Sequence, residues 1–323
     1  MKAIVHTRYG PPEVLQLKEV PQPVPKDNEV LVKVYATTVN RTDCGFRSAE
    51  YFISRFFSGL FRPNNQILGN EFAGEIEAIG KEVTTFKPGD KVFGYNDSTF
   101  GAHAEYVTLA EDAPITTMPP SFSFEEAAPI TEGAHYALCD IRAANIKSGQ
   151  KVLVNGATGA IGSAAVQLLN YFGAQVTAVC NTKNVGLLKS LGAYQVIDYT
   201  VQDFTKMDAR FDLVFDAVGK SSFWKCRPLL KKKGIYISTE LGFLSQNPFL
   251  ALITPLLGGK KVLFPIPTIS RKDIEFLKEL VATNKYKPVI DRSYTLEQIV
   301  EATRYVETGQ KTGNVVIKVQ HDH

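Results

Sequence analysis

Up to Phe124, apolar and polar residues alternate along much of the chain, and beyond it the period lengthens. Ala3–Val5, Leu15–Glu19, Val30–Thr38, Glu71–Ile79, Lys91–Phe93 and Ala104–Thr108 alternate or carry β-branched residues, which predicts strands. Turn signals separate them: Tyr9-Gly10-Pro11-Pro12, the proline-rich Pro21–Pro25 and Lys87-Pro88-Gly89-Asp90. The insertion Ala49–Gln66 is rich in aromatic residues and arginine and is expected to be a loop with a short helix.

From Glu125 to Ile141 the pattern is helical, with Ser123 as a cap ahead of Glu126. Strands and helices then alternate. The expected strands are Val152–Asn155, Gln175–Val179, Val196–Ile197, Leu213–Ala217, Gly234–Ser238 and Val262–Phe264. The expected helices are Ala160–Tyr171, Asn184–Leu191, Ser222–Leu230 and Arg271–Ala282. Such alternation through short turns predicts a doubly wound parallel sheet. After Pro288 the helix Leu296–Thr308 and the strand Asn314–Val319 are too little for a domain, so the tail is expected to rejoin the first one. The predicted fold class is α/β: a β-rich domain (residues 1–122 and 287–323) interrupted by a doubly wound domain (residues 123–286).

A chain of 323 residues exceeds one ordinary core, which agrees with two domains. Its 36 basic and 33 acidic side chains leave a formal charge of +3, too weak for the basic field of a nucleic-acid binder. No nucleic-acid partner is expected. Cys44, Cys139, Cys180 and Cys226 lie far apart with no CxxC pair, so neither a disulfide framework nor a clustered zinc lobe is indicated. A reducing, cytoplasmic setting is the natural expectation, and MKAIVHTRYG lacks the apolar run of a secretory leader. Leu241–Leu257 is apolar but interrupted by Ser245, Gln246, Asn247 and two prolines, so no transmembrane span is expected. Packing over a crevice is the expectation there, with a surface or interface element as the alternative.

Candidate chemistry centres on Lys151–Gly162, KVLVNGATGAIG. A short apolar strand turns through Gly156, Gly159 and Gly162 into a helix, a GxxGxxG variant of the dinucleotide fingerprint. Backbone groups of Thr158, Gly159, Ala160, Ile161 and Gly162 are then expected against the pyrophosphate at the helix start. The loop after the next strand, Cys180-Asn181-Thr182-Lys183-Asn184, contains no acid to take a ribose hydroxyl. Asn181, the Thr182 hydroxyl and the Lys183 charge suit a 2′-phosphate instead, so the expected cofactor is NADPH. Tyr199 is a candidate to stack on the same side. In Asp216-Ala217-Val218-Gly219, Val218 and Gly219 bring backbone to the cofactor, and Asp216 is expected to fix the loop.

The chain resembles the medium-chain dehydrogenase/reductase superfamily, in its zinc-free quinone oxidoreductase-like branch. The resemblance rests on Gly10-Pro11-Pro12-Glu13-Val14-Leu15, Asn40-Arg41-Thr42-Asp43, Gly69-Asn70-Glu71-Phe72-Ala73-Gly74, Pro88-Gly89-Asp90-Lys91-Val92, the glycine turn, Leu191-Gly192-Ala193 and Ile197-Asp198-Tyr199. It implies a GroES-like catalytic domain, a Rossmann-type NADPH domain, a cleft between them, and a homodimer paired through the cofactor-domain sheets. It also implies hydride delivery to a quinone or an α,β-unsaturated carbonyl compound. The alternatives left open are an enoyl-thioester reductase and a non-enzymatic NADPH-binding sensor.

Zinc-bearing members place a cysteine where this chain has Asn40 and a histidine where it has Asn70, so no metal is expected. His103 and His135 are expected to pack or hydrogen-bond. The resemblance puts Asn40 near the nicotinamide ribose or the substrate, where its amide is the first catalytic candidate; Asp43 is expected to brace the loop. Cys44-Gly45-Phe46 lacks the tyrosine common in the family, which leaves Tyr51 and Tyr95 as candidate proton donors. At the nicotinamide-contacting stretch Thr131-Glu132-Gly133-Ala134, Ala134 removes a hydroxyl and Thr131 is the one that remains. Phe46, Phe52, Phe56, Phe57 and Phe61, with Phe243, Leu244 and Phe249, are candidates to line a site for a small lipophilic substrate.

Overall fold

The computed structural model describes residues 1–49 and 55–321, and of Phe57 the backbone. They form two compact units, each with its own sheet. The first comprises Met1–Glu132, Ile269–Ala282 and Pro288–His323. Its main sheet runs in the order Ile290–Thr295, Asn314–Lys318, Glu29–Val39, Glu71–Ile79, Lys91–Tyr95, Ile115–Thr117, and Tyr106–Ala110 also pairs with Glu29–Val39. Val30, Val32 and Val34 alternate inward and meet Phe72, Ile76, Val92, Ile115, Val315 and Ile317 in one core. Helix Ile299–Glu307 covers this core with Ile299, Ala302 and Val306, one stripe at helical spacing.

Two strands of this sheet lie outside the sequence expectation. Ile115–Thr117 is only three residues long. Ile290–Thr295 reads IDRSYT and buries little, so its place is set by parallel pairing with Asn314–Lys318 rather than by its own pattern. Helix Arg271–Ala282 also belongs to this unit, although strand–helix alternation carried it into the second domain. Thr116 Oγ1 donates to Glu275 Oε1 at 2.6 Å, and Lys278 Nζ to Thr117 Oγ1 at 2.7 Å.

The helix expected over Glu125–Ile141 is broken. Phe124–Ala127 ends in a 3₁₀ turn, Ala128–Ile130, and the longer helix starts only at Glu132 and runs to Ala144. Pro129 lacks an N–H and sits at ψ 16°, outside the helical range, which accounts for the break. Ser123 caps the first piece as expected, in a reciprocal pairing with Glu126.

The second unit comprises Gly133–Thr268 and Thr283–Lys287. Its six strands are parallel, in the order Gln195–Asp198, Gln175–Cys180, Lys151–Asn155, Phe211–Asp216, Leu230–Ser238, Lys261–Leu263. Chain order is therefore 3-2-1-4-5-6, the Rossmann arrangement, with the switch point beside the strand that feeds the glycine turn. The helix expected over Ser222–Leu230 shortens to Phe223–Cys226 and a 3₁₀ turn, because Pro228 follows and the strand already begins at Leu230.

Within Leu241–Leu257, residues Gln246–Ile253 form a helix that rests on the core through Leu250 and Ala251. Its other face is open: Phe243 is 78% exposed and Leu256 84%, with Phe249, Leu252 and Leu257 also exposed. The tract is thus a surface element rather than crevice packing. Among the described residues, no helix is long and apolar enough to cross a membrane.

Candidate functional site

In the first unit the Asn40–Asp43 stretch opens helix Arg41–Ser48 through a reciprocal cap. Asn40 Oδ1 accepts from the Asp43 N–H at 2.9 Å, and Asp43 Oδ2 accepts from the Asn40 N–H at 3.1 Å. The other Asp43 oxygen takes the Gly69 N–H at 3.0 Å, so Asp43 braces the loop. Asn40 Nδ2 donates to Asn70 Oδ1 at 2.6 Å, and Asn70 Nδ2 reaches the Tyr95 hydroxyl at 3.4 Å. Asn40, Asn70 and Tyr95 therefore form one buried polar row. His103 donates Nε2–H to Thr38 O at 2.8 Å and packs 3.8 Å from Asp43.

A second group of polar side chains is the buried Glu71, Thr131 and Glu132 cluster. Glu71 accepts from the Thr131 N–H and hydroxyl, the Glu132 N–H and the Thr38 hydroxyl. It thereby caps helix Glu132–Ala144 from another element, and the Thr131 hydroxyl is committed to that cap. Glu132 accepts from the Thr42 hydroxyl at 2.6 Å. Burial pushes both carboxyls up, but the Glu132 N–H and the hydroxyls of Thr38 and Thr131 oppose the shift on Glu71. Glu132 lies well above the usual carboxylate range, first through burial and then through the charges of Glu71 and Asp43.

In the second unit the glycines meet physical requirements. Gly156 takes φ +72°, and a Cβ there would lie 2.6 Å from Val218 Cβ. A Cβ on Gly162 would lie 2.1 Å from Gly156 O, so helix Ala160–Tyr171 can approach the turn only because residue 162 is glycine. Gly159 is different: the nearest atom to an added Cβ is 3.7 Å away, so this side of the turn is open. Gly159 caps the helix with no side chain, leaving the N–H groups of Ala160, Ile161 and Gly162 facing that space. Asp216 fixes the neighbouring loop: it accepts from Asn155 Nδ2, the Ser221 N–H and the Tyr236 hydroxyl at 2.9, 2.8 and 3.2 Å. Val218 and Gly219 are carried on that loop.

Thr182, Lys183 and Tyr199 are exposed, and Asn181 is tied to Asn184 at 2.9 Å. The loop is free of acids in sequence but not in space. Parallel register sets Asp198 opposite Cys180. Thr182 Oγ1 lies 3.0 Å from Thr200 Oγ1, which in turn donates to Asp198 at 2.7 Å. The hydroxyls of Thr182 and Thr200 hold the Asp198 carboxyl below the usual range. Strand register, not spacing along the chain, was the signal that would have found it.

Tyr51 and Phe52 lie outside the described residues. Of the other aromatic candidates, Phe46 packs on Phe100 with ring centroids 4.9 Å apart. Phe61 is 89% exposed, and Phe56, Phe243 and Leu244 are exposed as well.

Two family descriptions match the chain: alcohol dehydrogenase GroES-like domain over residues 26–120, and zinc-binding dehydrogenase over residues 191–317. The 2-methylene-furan-3-one reductase of Solanum lycopersicum is 32% identical over 98% of this chain and 79% of that protein. A chloroplastic quinone oxidoreductase of Triphysaria versicolor is 30% identical over 98% of each chain. The chain belongs to the medium-chain dehydrogenase/reductase superfamily, in its zinc-free quinone oxidoreductase-like branch. Among solved structures, the quinone oxidoreductase of Coxiella burnetii superposes with a TM-score of 0.89 at 29% identity, covering 99% of each chain.

In this medium-chain dehydrogenase/reductase the donor set does not fit a catalytic zinc. The two positions that bear ligands in zinc members hold amides, poor zinc ligands, and these are bonded to each other. Cys44 is no substitute, since burial pushes its thiol up to about 12. Among the described residues, no three His, Cys, Asp or Glu side chains are grouped to hold a metal ion. A dinucleotide pyrophosphate, by contrast, fits the open side of Gly159 and the N–H groups behind it.

Proposed function

We propose that this chain is an NADPH-dependent reductase that passes hydride to a quinone or an α,β-unsaturated carbonyl compound without a metal. The observation that carries this reading is the Asn40–Asn70 bond at the place where zinc members hold their metal. It redirects the chemistry from metal-bound alkoxides to acceptors that need only hydrogen bonds for their developing charge. The names of the tomato and Triphysaria relatives, a furanone reductase and a quinone oxidoreductase, agree.

Bound NADPH supplies the hydride. The protein binds and orients. The N–H groups of Ala160, Ile161 and Gly162 take the pyrophosphate, with Thr158 and Gly159 shaping the turn. Lys183 and the Thr182 hydroxyl take the 2′-phosphate, Asn181 holds their loop, and Tyr199 stacks beside them. Thr131 acts as the cap partner of Glu71 and so positions the helix that follows. Asn40 Nδ2 has a second hydrogen beyond the one given to Asn70, and we assign it to the substrate oxygen as charge develops there. One such donor is worth about 3 kcal/mol to a transition state. Tyr95 sits at the far end of the same row and orients Asn70.

The protein works as a homodimer joined at Lys261–Leu263, the last strand of the parallel sheet, with the exposed apolar face of Gln246–Ile253 covered by the second copy. Four free thiols agree with a reducing, cytoplasmic compartment. The test is NADPH oxidation against ring quinones, short enones and 2-enoyl esters, with molar mass in solution measured alongside. Turnover of a quinone or an enone by a dimer is expected; a monomeric protein that oxidises NADPH with none of them overturns the reading.

A further inference from the structure

Reduction of an enone or quinone consumes a proton as well as a hydride, and the Asn40–Asn70–Tyr95 row holds no carboxyl. Among the described residues of the first unit, three carboxyls are buried, those of Asp43, Glu71 and Glu132. Two of them are committed as acceptors. Asp43 takes the N–H groups of Asn40 and Gly69, and Glu71 takes two N–H groups and two hydroxyls. Both arrangements favour the anion: Asp43 has an N–H donor on each oxygen, and Glu71 gathers three donors on Oε1, with only the Thr38 hydroxyl beside Oε2 able to accept a proton.

Glu132 is different. Its carboxyl has one hydrogen-bond partner among the described residues, the Thr42 hydroxyl, at 2.6 Å. The neighbouring charges are Glu71 from the strand Glu71–Ile79, Asp43 from helix Arg41–Ser48, and Lys311 from the loop ahead of Asn314–Lys318. Lys311 is half-buried, donates to Gly313 O at 2.5 Å, and feels Cys44, Glu71 and Asp291 as well as Glu132. With a single hydroxyl partner, and with Glu71 and Asp43 beside it against one shared cation, Glu132 is the carboxyl of the three that most readily keeps its proton.

We propose that Glu132 stores the proton that follows the hydride and delivers it through the Thr42 hydroxyl, a role that rests on the reductase reading above. Hydride adds to the β-carbon of an enone, and the π electrons move to the oxygen to give an enolate. The Thr42 O–H bond breaks as its hydrogen passes to the enolate. The Glu132 O–H bond breaks in turn and restores the Thr42 hydroxyl. Glu132 is left as a carboxylate and is refilled from water. One hydride and one proton have been added to the substrate, and NADPH has become NADP⁺. Glu132 thus acts through Thr42 rather than on the substrate itself.

The test compares wild type with Glu132→Gln, Glu132→Asp and Thr42→Val in full-length protein. Infrared spectroscopy of cofactor-free protein reads the protonated carboxyl directly. The carboxylic-acid band of wild type at neutral pH is expected to lose one component in Glu132→Gln, leaving that of Asp140, and to stay whole in Thr42→Val. In turnover, Glu132→Gln and Thr42→Val lower kcat about tenfold or more while NADPH affinity holds, and Glu132→Asp recovers part of the loss. The kcat of Glu132→Gln also loses the alkaline fall that wild type shows as the stored proton dissociates. Active wild-type enzyme with no acid band lost in Glu132→Gln, or with unchanged kcat in that variant, overturns the proposal alone. A wild type that turns over no acceptor overturns the reductase reading, and the role of the proton with it.

Discussion

The amide of Asn40 donates to Asn70 across 2.6 Å, while the oxygen of the same amide caps helix Arg41–Ser48 through the Asp43 N–H. One side chain thus closes a helix start and occupies the partner that would otherwise face a metal. Asn40→Ala removes both interactions and leaves a buried Asn70 oxygen without its donor. A loss of about 2 kcal/mol is expected from the two together. Asn40→Ser, which keeps a capping oxygen but cannot reach Asn70, should fall between. Denaturant unfolding of the three proteins measures this directly.

The same bond predicts indifference to metal. Prolonged treatment with a chelator leaves turnover unchanged, and added zinc does not bind stoichiometrically, as read by elemental analysis after gel filtration. A chelator-sensitive rate restored by zinc would contradict this, since the described residues show no set of ligands for a metal ion.

Gly159 and Gly162 separate folding from binding. A Cβ at residue 162 meets Gly156 O at 2.1 Å, so Gly162→Ala is expected to cost about 1–3 kcal/mol of stability as well as cofactor affinity. A Cβ at residue 159 has only Gly156 O at 3.7 Å, so Gly159→Ala should leave stability within about 0.5 kcal/mol. It nevertheless fills the face proposed for the pyrophosphate, and NADPH affinity measured by fluorescence titration should fall about tenfold or more, equivalent to about 1.4 kcal/mol.

Asp140 is buried in helix Glu132–Ala144, and burial raises its carboxyl to about 8. The folded state therefore holds this proton more tightly than the unfolded chain, whose carboxyl titrates near 3.8. Its stabilising contribution is complete below the unfolded value and is lost as pH rises through about 8. Tm should decline across that window, and Asp140→Asn should flatten the decline and exceed wild type at alkaline pH. Calorimetry at a series of pH values checks both.

What was legible in the sequence was local. The strand, the three glycines and the helix of Lys151–Gly162 are contiguous, and each constrains the next, so the turn could be read without neighbours. Asn40 and Asn70 stood out because the resemblance fixed what other members carry there. What was hidden depends on pairing between distant segments. Glu132 N–H meets Glu71 across 61 residues of sequence, and Asp198 meets the Thr182 loop only through the register of two parallel strands. Ile290–Thr295 is a strand because Asn314–Lys318 pairs with it, not because its side chains ask to be buried. Pro129 was visible, but the apolar pattern ran through it and masked a break that the missing N–H requires.

Lys183 stands exposed on the loop assigned to the 2′-phosphate, with Asp198 held below the usual carboxylate range nearby. An ammonium there favours the phosphorylated cofactor, and Lys183→Ala should narrow the preference, most visibly at low salt.

The central claim is tested most directly by following nicotinamide absorbance with NADPH or NADH against ring quinones and short enones. The account predicts turnover of at least one of these classes, with NADPH preferred over NADH by about tenfold or more, equivalent to about 1.4 kcal/mol. Equal use of the two cofactors, or no oxidation of NADPH by any acceptor, would contradict it.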